Sequence, residues 1–155
     1  MRLWLLIGAL LAQGAPPAKV TASVRRIFGP GAEVRTLTVG ADTVLRVARG
    51  DSLLGFAMVR AVRGKDQPIT FLVATDSLDR LRDVDILVYR EPYGGEVAYD
   101  AWRRQFRGKT ATDRLEVGKD IRSISGATIS VNSVTLGVRR ALADLAAWHR
   151  SGAIR

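Results

Sequence analysis

The sequence contains no cysteine and a single histidine, and both shortages limit the chemistry open to the chain. Without a thiol, its 155 residues can form no disulfide, no thiolate metal site, no iron–sulfur cluster and no thioether-linked haem. One histidine, His149, argues against a histidine-based metal site and against a Ser/His/Asp triad. Near the end of the last predicted helix, it is expected at the surface. The core must therefore be stabilised by packing alone.

The N-terminal segment lacks an apolar run long enough to cross a membrane. Its apolar run at residues 3–12 is roughly half of the about 20 residues that a spanning helix needs. The run follows Met1 and Arg2 and precedes small or polar residues and two prolines, which is the order of a secretory signal peptide. We predict a signal peptide at residues 1–15 and a mature domain at residues 16–155. An uncleaved short anchor is the alternative.

A dense basic tract is also lacking, although the formal net charge is +9 and the pI is about 11. The arginines alternate with acidic residues, as in residues 79–91, and no basic stretch carries interleaved aromatic side chains. Charge of this kind gives no specific support for nucleic-acid binding. For an exported chain, an acidic redox partner or an anionic envelope surface is the better match, so membrane association is left open.

Short apolar runs dominate the first two thirds of the mature chain. Val20, Val24, Ile27 and Phe28 recur at helical spacing before a Gly-Pro-Gly stop, which predicts a first helix. Five segments separated by turn residues then predict an antiparallel meander. These segments are residues 34–39, 44–48, 53–62, 69–75 and 84–89. From Ser130 onward, apolar residues at three- and four-residue steps predict a long amphipathic helix. The expected fold is a single α+β domain: an antiparallel sheet with an N-terminal helix and a long C-terminal helix packed on it.

Hydroxyl side chains surround a Gly-Ala pair just before the last helix, in Ser-Ile-Ser-Gly-Ala-Thr-Ile-Ser at residues 123–130. One interpretation is capping, in which Ser125 or Ser130 accepts hydrogen bonds from the free backbone N–H groups of the first turn. The other is anion binding, because the same N–H groups and the helix dipole suit a phosphate, and Gly126 and Ala127 leave room for it. Composition alone favours capping.

The order of these residues adds a resemblance. Ser-Gly-Ala-Thr at residues 125–128, followed by a helix, resembles the Ser/Thr-Gly-Ala-Thr motif of the FMN-binding domain family. That family includes the FMN-bearing periplasmic subunits of the sodium-pumping quinone reductase and of the Rnf complex. The resemblance spans about residues 50–145. It implies FMN joined by a phosphoester to Thr128 and installed outside the cytoplasm by a flavin transferase that uses FAD.

A second part of the resemblance lies in Tyr-Arg-Glu-Pro-Tyr-Gly-Gly-Glu at residues 89–96. Family members often carry a Glu-Thr-Pro-Gly type of loop here, close to the isoalloxazine ring, and Glu91 and Gly94 match it. Pro92 and the two glycines favour a rigid turn, and Tyr93 is suited to stack on a flat ligand. An ordinary strand-to-helix turn is the alternative. The implied cofactor-binding residues are Glu91, Tyr93, Gly94, Gly95, Ser125, Gly126, Ala127, Thr128 and Ser130.

Two further features bear on this resemblance. Gln-Phe-Arg-Gly-Lys at residues 105–109 is similar to the family but has no evident chemical role. Many members have aspartate three residues before the Ser/Thr of the motif, where this chain has Arg122 and where Asp120 lies two residues earlier. Arg122 at this position would affect the covalent attachment of FMN more than the binding of the flavin.

The resemblance implies an electron-transfer module more than a stand-alone enzyme. FMN supplies one- or two-electron chemistry, while the protein supplies position, burial and tuning of the potential. Since the sequence offers no other redox group, the partners would be a redox protein or a membrane electron-transfer complex. A flavin-free or flavin-sensing module that docks an envelope partner is the second hypothesis, and a basic protein that binds an anionic surface is the third.

Export gives the first testable prediction. Because the apolar run is too short to span a membrane and is followed by small residues, the mature protein should begin near Ala15 or Pro16. N-terminal sequencing of secreted material checks this, and recovery of chains that still start at Met1 would contradict it.

Overall fold

Five antiparallel strands in sequence order form one sheet, with a helix on each side of it. The computed structural model describes residues 17–155, so the predicted signal peptide lies outside the described residues. The main elements are α1 (Pro17–Phe28), β1 (Glu33–Val39), β2 (Asp42–Arg49), β3 (Ser52–Arg63), β4 (Pro68–Asp76), β5 (Leu81–Val88), α2 (Asp100–Arg103) and α3 (Thr128–Ser151). Short 3-10 turns at Gly95–Ala98 and Arg104–Phe106 flank α2. Among residues 17–155, no helix is both long and apolar enough to cross a membrane.

The predicted α+β fold is confirmed, and both faces of the sheet are covered. Along β3 and β4 successive side chains point to opposite faces, so every second residue meets a different helix. One face packs on α3 and carries Phe56, Met58, Phe71 and Val73. The other face packs on α1 and carries Ala57, Val59, Leu72 and Ala74. This explains why β4 is an almost unbroken apolar run rather than an alternating one.

The predicted helices occupy these two faces. The four residues that predicted α1, Val20, Val24, Ile27 and Phe28, are all buried against the sheet. On the opposite face, α3 contributes a stripe of buried apolar residues at helical spacing. This stripe is Val131, Val134, Val138, Ala141, Leu142 and Leu145.

A buried carboxylate joins α1, β5 and α2. The side chain of Asp83, on β5, is only 5% exposed. Its oxygens lie 2.9 Å from Arg26 Nη1 on α1 and 3.3 Å from Arg103 Nη1 on α2. Arg103 Nη1 also donates a 2.6 Å hydrogen bond to the Val84 carbonyl. Because a buried charge is costly unless it is paired, these arginines are what allow Asp83 to lie inside the fold.

Two boundaries differ from the prediction. The fifth strand was expected to begin at Val84 after an acidic turn, but β5 begins at Leu81. Charged residues hid this strand in the sequence, because Asp83 is buried by ion pairing and not by apolar character. The last helix was expected from Ser130 and begins at Thr128.

His149 was expected at the surface, but it is half-buried, with Nδ1 2.6 Å from Asp79 Oδ1 and its ring edge-on to Phe56.

Gly55 lies at the one position in β3 where a side chain cannot fit. The β2–β3 register shifts next to it, leaving Leu54 as an extra residue. At Gly55, φ is +154°, and a Cβ would lie 1.8 Å from the Thr75 carbonyl oxygen. Both the conformation and the contact therefore require glycine.

Gly55→Ala should lower the free energy of unfolding by about 2–4 kcal/mol, through overpacking and backbone strain. Gly31→Ala is the matched control, because its Cβ would meet only Arg49 Nε at 3.6 Å. Chemical denaturation of both variants measures the difference. Equal midpoints would contradict the assigned close approach at Gly55.

Candidate functional site

A groove of about 330 Å³ opens where three separate segments of the chain meet. These segments are the β3–β4 turn, the loop that follows β5, and the start of α3. The lining residues are Lys65, Asp66, Glu91, Pro92, Tyr93, Gly126, Ala127, Thr128, Ile129 and Ser130. The fold thus brings the two predicted loops together across one opening. Three predicted residues, Ser125, Gly94 and Gly95, are not among the lining residues.

The start of α3 carries no side-chain cap. Ala127 occupies the cap position, and no side-chain hydrogen bond closes this helix end. Ser125 is exposed, while the Ser130 hydroxyl lies 2.9 Å from the Tyr89 phenol oxygen. The capping interpretation of these two serines is therefore wrong. The first N–H groups of the helix remain available to an anion, as is common at helix N-termini.

Space for such an anion is present at the same point. Gly126 has φ +78°, and a Cβ built there would meet nothing within 4 Å. The side chain of Thr128, the first residue of α3, is exposed at the groove. An open glycine, uncapped amides and an exposed hydroxyl fit a phosphate ester at this position.

The loop after β5 packs directly against the start of α3. The Tyr89 phenol donates to the Tyr93 carbonyl oxygen and also contacts Ser130 Oγ. A Cβ at Gly94 would lie 2.7 Å from the Tyr89 oxygen and 3.1 Å from Ala127 Cβ. Gly94, with φ +85°, therefore has a packing role behind the groove. Tyr89 was missed by sequence reasoning, because its partner Ser130 is 41 residues away.

Glu91 fixes the opposite wall of the groove. Its Oε1 accepts hydrogen bonds from the backbone N–H groups of Asp66, at 2.8 Å, and Gln67, at 3.0 Å. The Gln67 bond is the largest cause that lowers the pKa of Glu91, with Asp66 and Lys65 adding to it and desolvation opposing it. This carboxylate thereby positions the turn that brings Lys65 and Asp66 into the groove. Sequence reasoning missed these two residues, which looked like an ordinary polar turn.

Two apolar side chains stand at the mouth of the groove. Tyr93 is 81% exposed and Ile129 is 50% exposed. They come from the loop after β5 and from the first turn of α3, so they lie on different walls. Large exposed apolar side chains facing one opening are suited to cover a flat ligand.

Comparison with known protein families agrees with this geometry. A model of the family described as FMN-binding domain matches residues 64–143. The chain belongs to the FMN-binding domain family. The match begins at the β3–β4 turn and ends within α3, so all three segments that form the groove lie inside it. No curated protein sequence matches the chain significantly.

Membership makes the chain a flavin-binding module, and its ligand is FMN. The residues of the groove fit this ligand: the open helix start suits the phosphate, and Tyr93 and Ile129 suit the ring. The segment that matches the family model contains all the predicted cofactor-binding residues of both loops. The roles of the individual residues stay predictions.

The contacts of Glu91 generate a pH prediction. Since its folded-state pKa is lowered, the stabilisation of the turn is present above the ordinary glutamate pKa of 4.5 and is lost as the pH falls through the folded value. NMR titration should therefore show the Glu91 carboxyl with a midpoint below 4.5, with the Gln67 amide shifting in the same step.

Glu91→Gln is the matched control, because its amide oxygen can still accept both bonds while the titration disappears. A Glu91 midpoint at or above 4.5 would contradict the assigned hydrogen bonds.

Proposed function

We propose that this FMN-binding domain is an exported electron-transfer module that carries FMN covalently on Thr128. The supporting observation is the exposed Thr128 side chain at the uncapped start of α3, directly on the groove. Thr128 shares this groove with Tyr93, Lys65 and Gly126, where a Cβ would meet nothing within 4 Å. Capping, the main structural alternative, is not how this helix begins.

Attachment transfers the FMN half of FAD, through its phosphorus, from AMP to the Thr128 hydroxyl. The Thr128 hydroxyl oxygen forms a bond to the FMN phosphorus of FAD while the anhydride bond to the AMP half breaks. AMP leaves with the bridging oxygen, and the hydroxyl proton is released. No electrons change hands in this step. The donor is bulky, so exposed neighbours such as Ser125 and Gly126 suit the approach of a flavin transferase that works outside the cytoplasm.

Once bound, FMN supplies one- or two-electron chemistry, and the chain supplies its setting. The uncapped amides of α3 compensate the phosphate charge. Tyr93 would cover one side of the ring, and the turn held by Glu91 brings Lys65 to the same groove. A cation near a flavin favours the reduced, more negative form, so Lys65 would raise the reduction potential of bound FMN.

The partners are a redox protein or a membrane electron-transfer complex. The sequence carries no cysteine and one histidine, so electrons reach and leave FMN through other proteins. A net charge of +9 favours an acidic partner or an anionic envelope surface over a basic one. Colour in the purified protein separates this proposal from a flavin-free docking module.

Thr128→Val tests the attachment. Valine preserves the branched shape and removes the only atom that can form the ester, so covalent FMN should vanish while the fold remains. The measurement is in-gel flavin fluorescence of denatured protein coexpressed with a flavin transferase, together with intact mass.

Ser125→Ala is the matched control, since it deletes a neighbouring exposed hydroxyl of the same loop and should leave most of the fluorescence. A fluorescent Thr128→Val band would refute the assignment, as would a parent protein without flavin under these conditions.

A further inference from the structure

The loop that presents Thr128 forms few hydrogen bonds of its own. Residues 122–127, which we call the acceptor loop, run from the buried Ile121 to the start of α3. Ser123, Ser125 and Gly126 are exposed. Within the loop, one backbone hydrogen bond joins Ala127 N–H to the Ile124 carbonyl. Ile124, near its middle, is half-buried and packs against the core, and the remaining constraints act at the two ends of the loop.

At the far end, Ala127 is buried and packs close to Gly94. At the near end, two side chains bind both backbone groups of Arg122. Trp102 Nε1 donates a 2.8 Å hydrogen bond to the Arg122 carbonyl, and Gln105 Oε1 accepts a 2.7 Å bond from the Arg122 N–H. We call Trp102 and Gln105 the Arg122 clamp.

The orientation of the Gln105 amide is determined by its partners. Its oxygen faces the Arg122 N–H, and its Nε2 donates 2.8 Å to the Trp102 carbonyl. A flipped amide would set a donor against a donor and an acceptor against an acceptor, so one orientation satisfies both contacts. Gln105 thereby ties the acceptor loop to α2.

Buried contacts hold the Arg122 clamp in place. The Trp102 ring is buried and packs edge-on against the fully buried Phe106, with 5.2 Å between ring centroids. Arg103, between them in sequence, binds the Ala98 and Val84 carbonyls. The sheet therefore fixes α2, and α2 fixes the start of the acceptor loop. These contacts give a structural role to Gln105 and Phe106. Both lie in the segment at residues 105–109 that is similar to the family but has no evident chemical role.

We propose that Trp102 and Gln105 are positioning residues that shape the acceptor loop so that the Thr128 hydroxyl can accept FMN. The inference rests on the proposed attachment at Thr128. The clamp binds only the backbone of Arg122, whose side chain is exposed. The loop can therefore keep its shape with arginine where many family members have aspartate.

The test uses the full chain, purified flavin transferase and FAD. Gln105→Leu removes both amide hydrogen bonds and should slow flavin attachment on the order of tenfold, as expected for lost positioning. Gln105→Glu still accepts from the Arg122 N–H but sets its second oxygen against the Trp102 carbonyl, so it should recover only part of the rate. Trp102→Phe deletes the indole donor and should also slow attachment. Trp148→Phe, on α3 and distant from the loop in sequence, is the matched tryptophan control and should react like the parent.

A second readout does not depend on flavin. In Gln105→Leu, the Ala127 backbone amide, which is hydrogen-bonded to the Ile124 carbonyl, should exchange faster with solvent than in the parent, while the denaturation midpoint stays close to it. This separates loop shape from overall stability. Slowed attachment together with faster loop exchange supports the clamp.

Attachment at the parental rate in Gln105→Leu would overturn the proposal, as would attachment at the parental rate in Trp102→Phe. Failure of the proposed function is distinguishable, because it appears as a dark parent or a fluorescent Thr128→Val. A dark parent overturns the role in attachment as well. A fluorescent parent with insensitive clamp variants overturns the clamp alone.

Discussion

The close seating of α3 on the sheet at Gly137 is the contact on which the groove depends. A Cβ at Gly137 would lie 2.6 Å from Val62 Cγ1 and 2.7 Å from Phe71 Cζ, so only glycine permits this approach. Val62 is near the end of β3, just before the turn that forms one wall of the groove. Thr128 is nine residues earlier on α3, or about 14 Å along the helix axis. The distance between α3 and the sheet at Gly137 therefore helps to determine how far Thr128 lies from the β3–β4 turn.

Features that depend on local patterning were predictable from the sequence. Apolar runs between turn residues located all five strands, and helical spacing located α1 and also α3, whose start was predicted to within two residues. The Ser-Gly-Ala-Thr order predicted an FMN-binding domain, and family membership confirms it. Glu91, Tyr93 and Thr128 do lie on a common groove, as the resemblance implied. These features were accessible because each one is carried by neighbouring residues.

Features that depend on contacts between distant residues were not predictable. Tyr89 joins Ser130 across 41 residues, and Gln105 binds Arg122 across 17. Glu91 looked like a ligand residue, while its hydrogen bonds go to the backbone of a turn more than 20 residues earlier. The hydroxyls before α3 suggested caps, because composition does not show where a helix begins. In each case the chemistry of the residue was visible, but its partner was set by the fold.

The division of the core into two clusters has a consequence for local unfolding. The α1 cluster and the α3 cluster lie on opposite faces of the sheet, and the groove lies with α3. A fluctuation that detaches α1 would expose Leu72 and Ala74 but would leave the start of α3 in place. The two faces can thus behave as separate cooperative units. Asp83 and Asp85 each pair with Arg26 on one side and Arg103 on the other, and through these contacts an opening of α1 would reach α2 and the loop that presents Thr128.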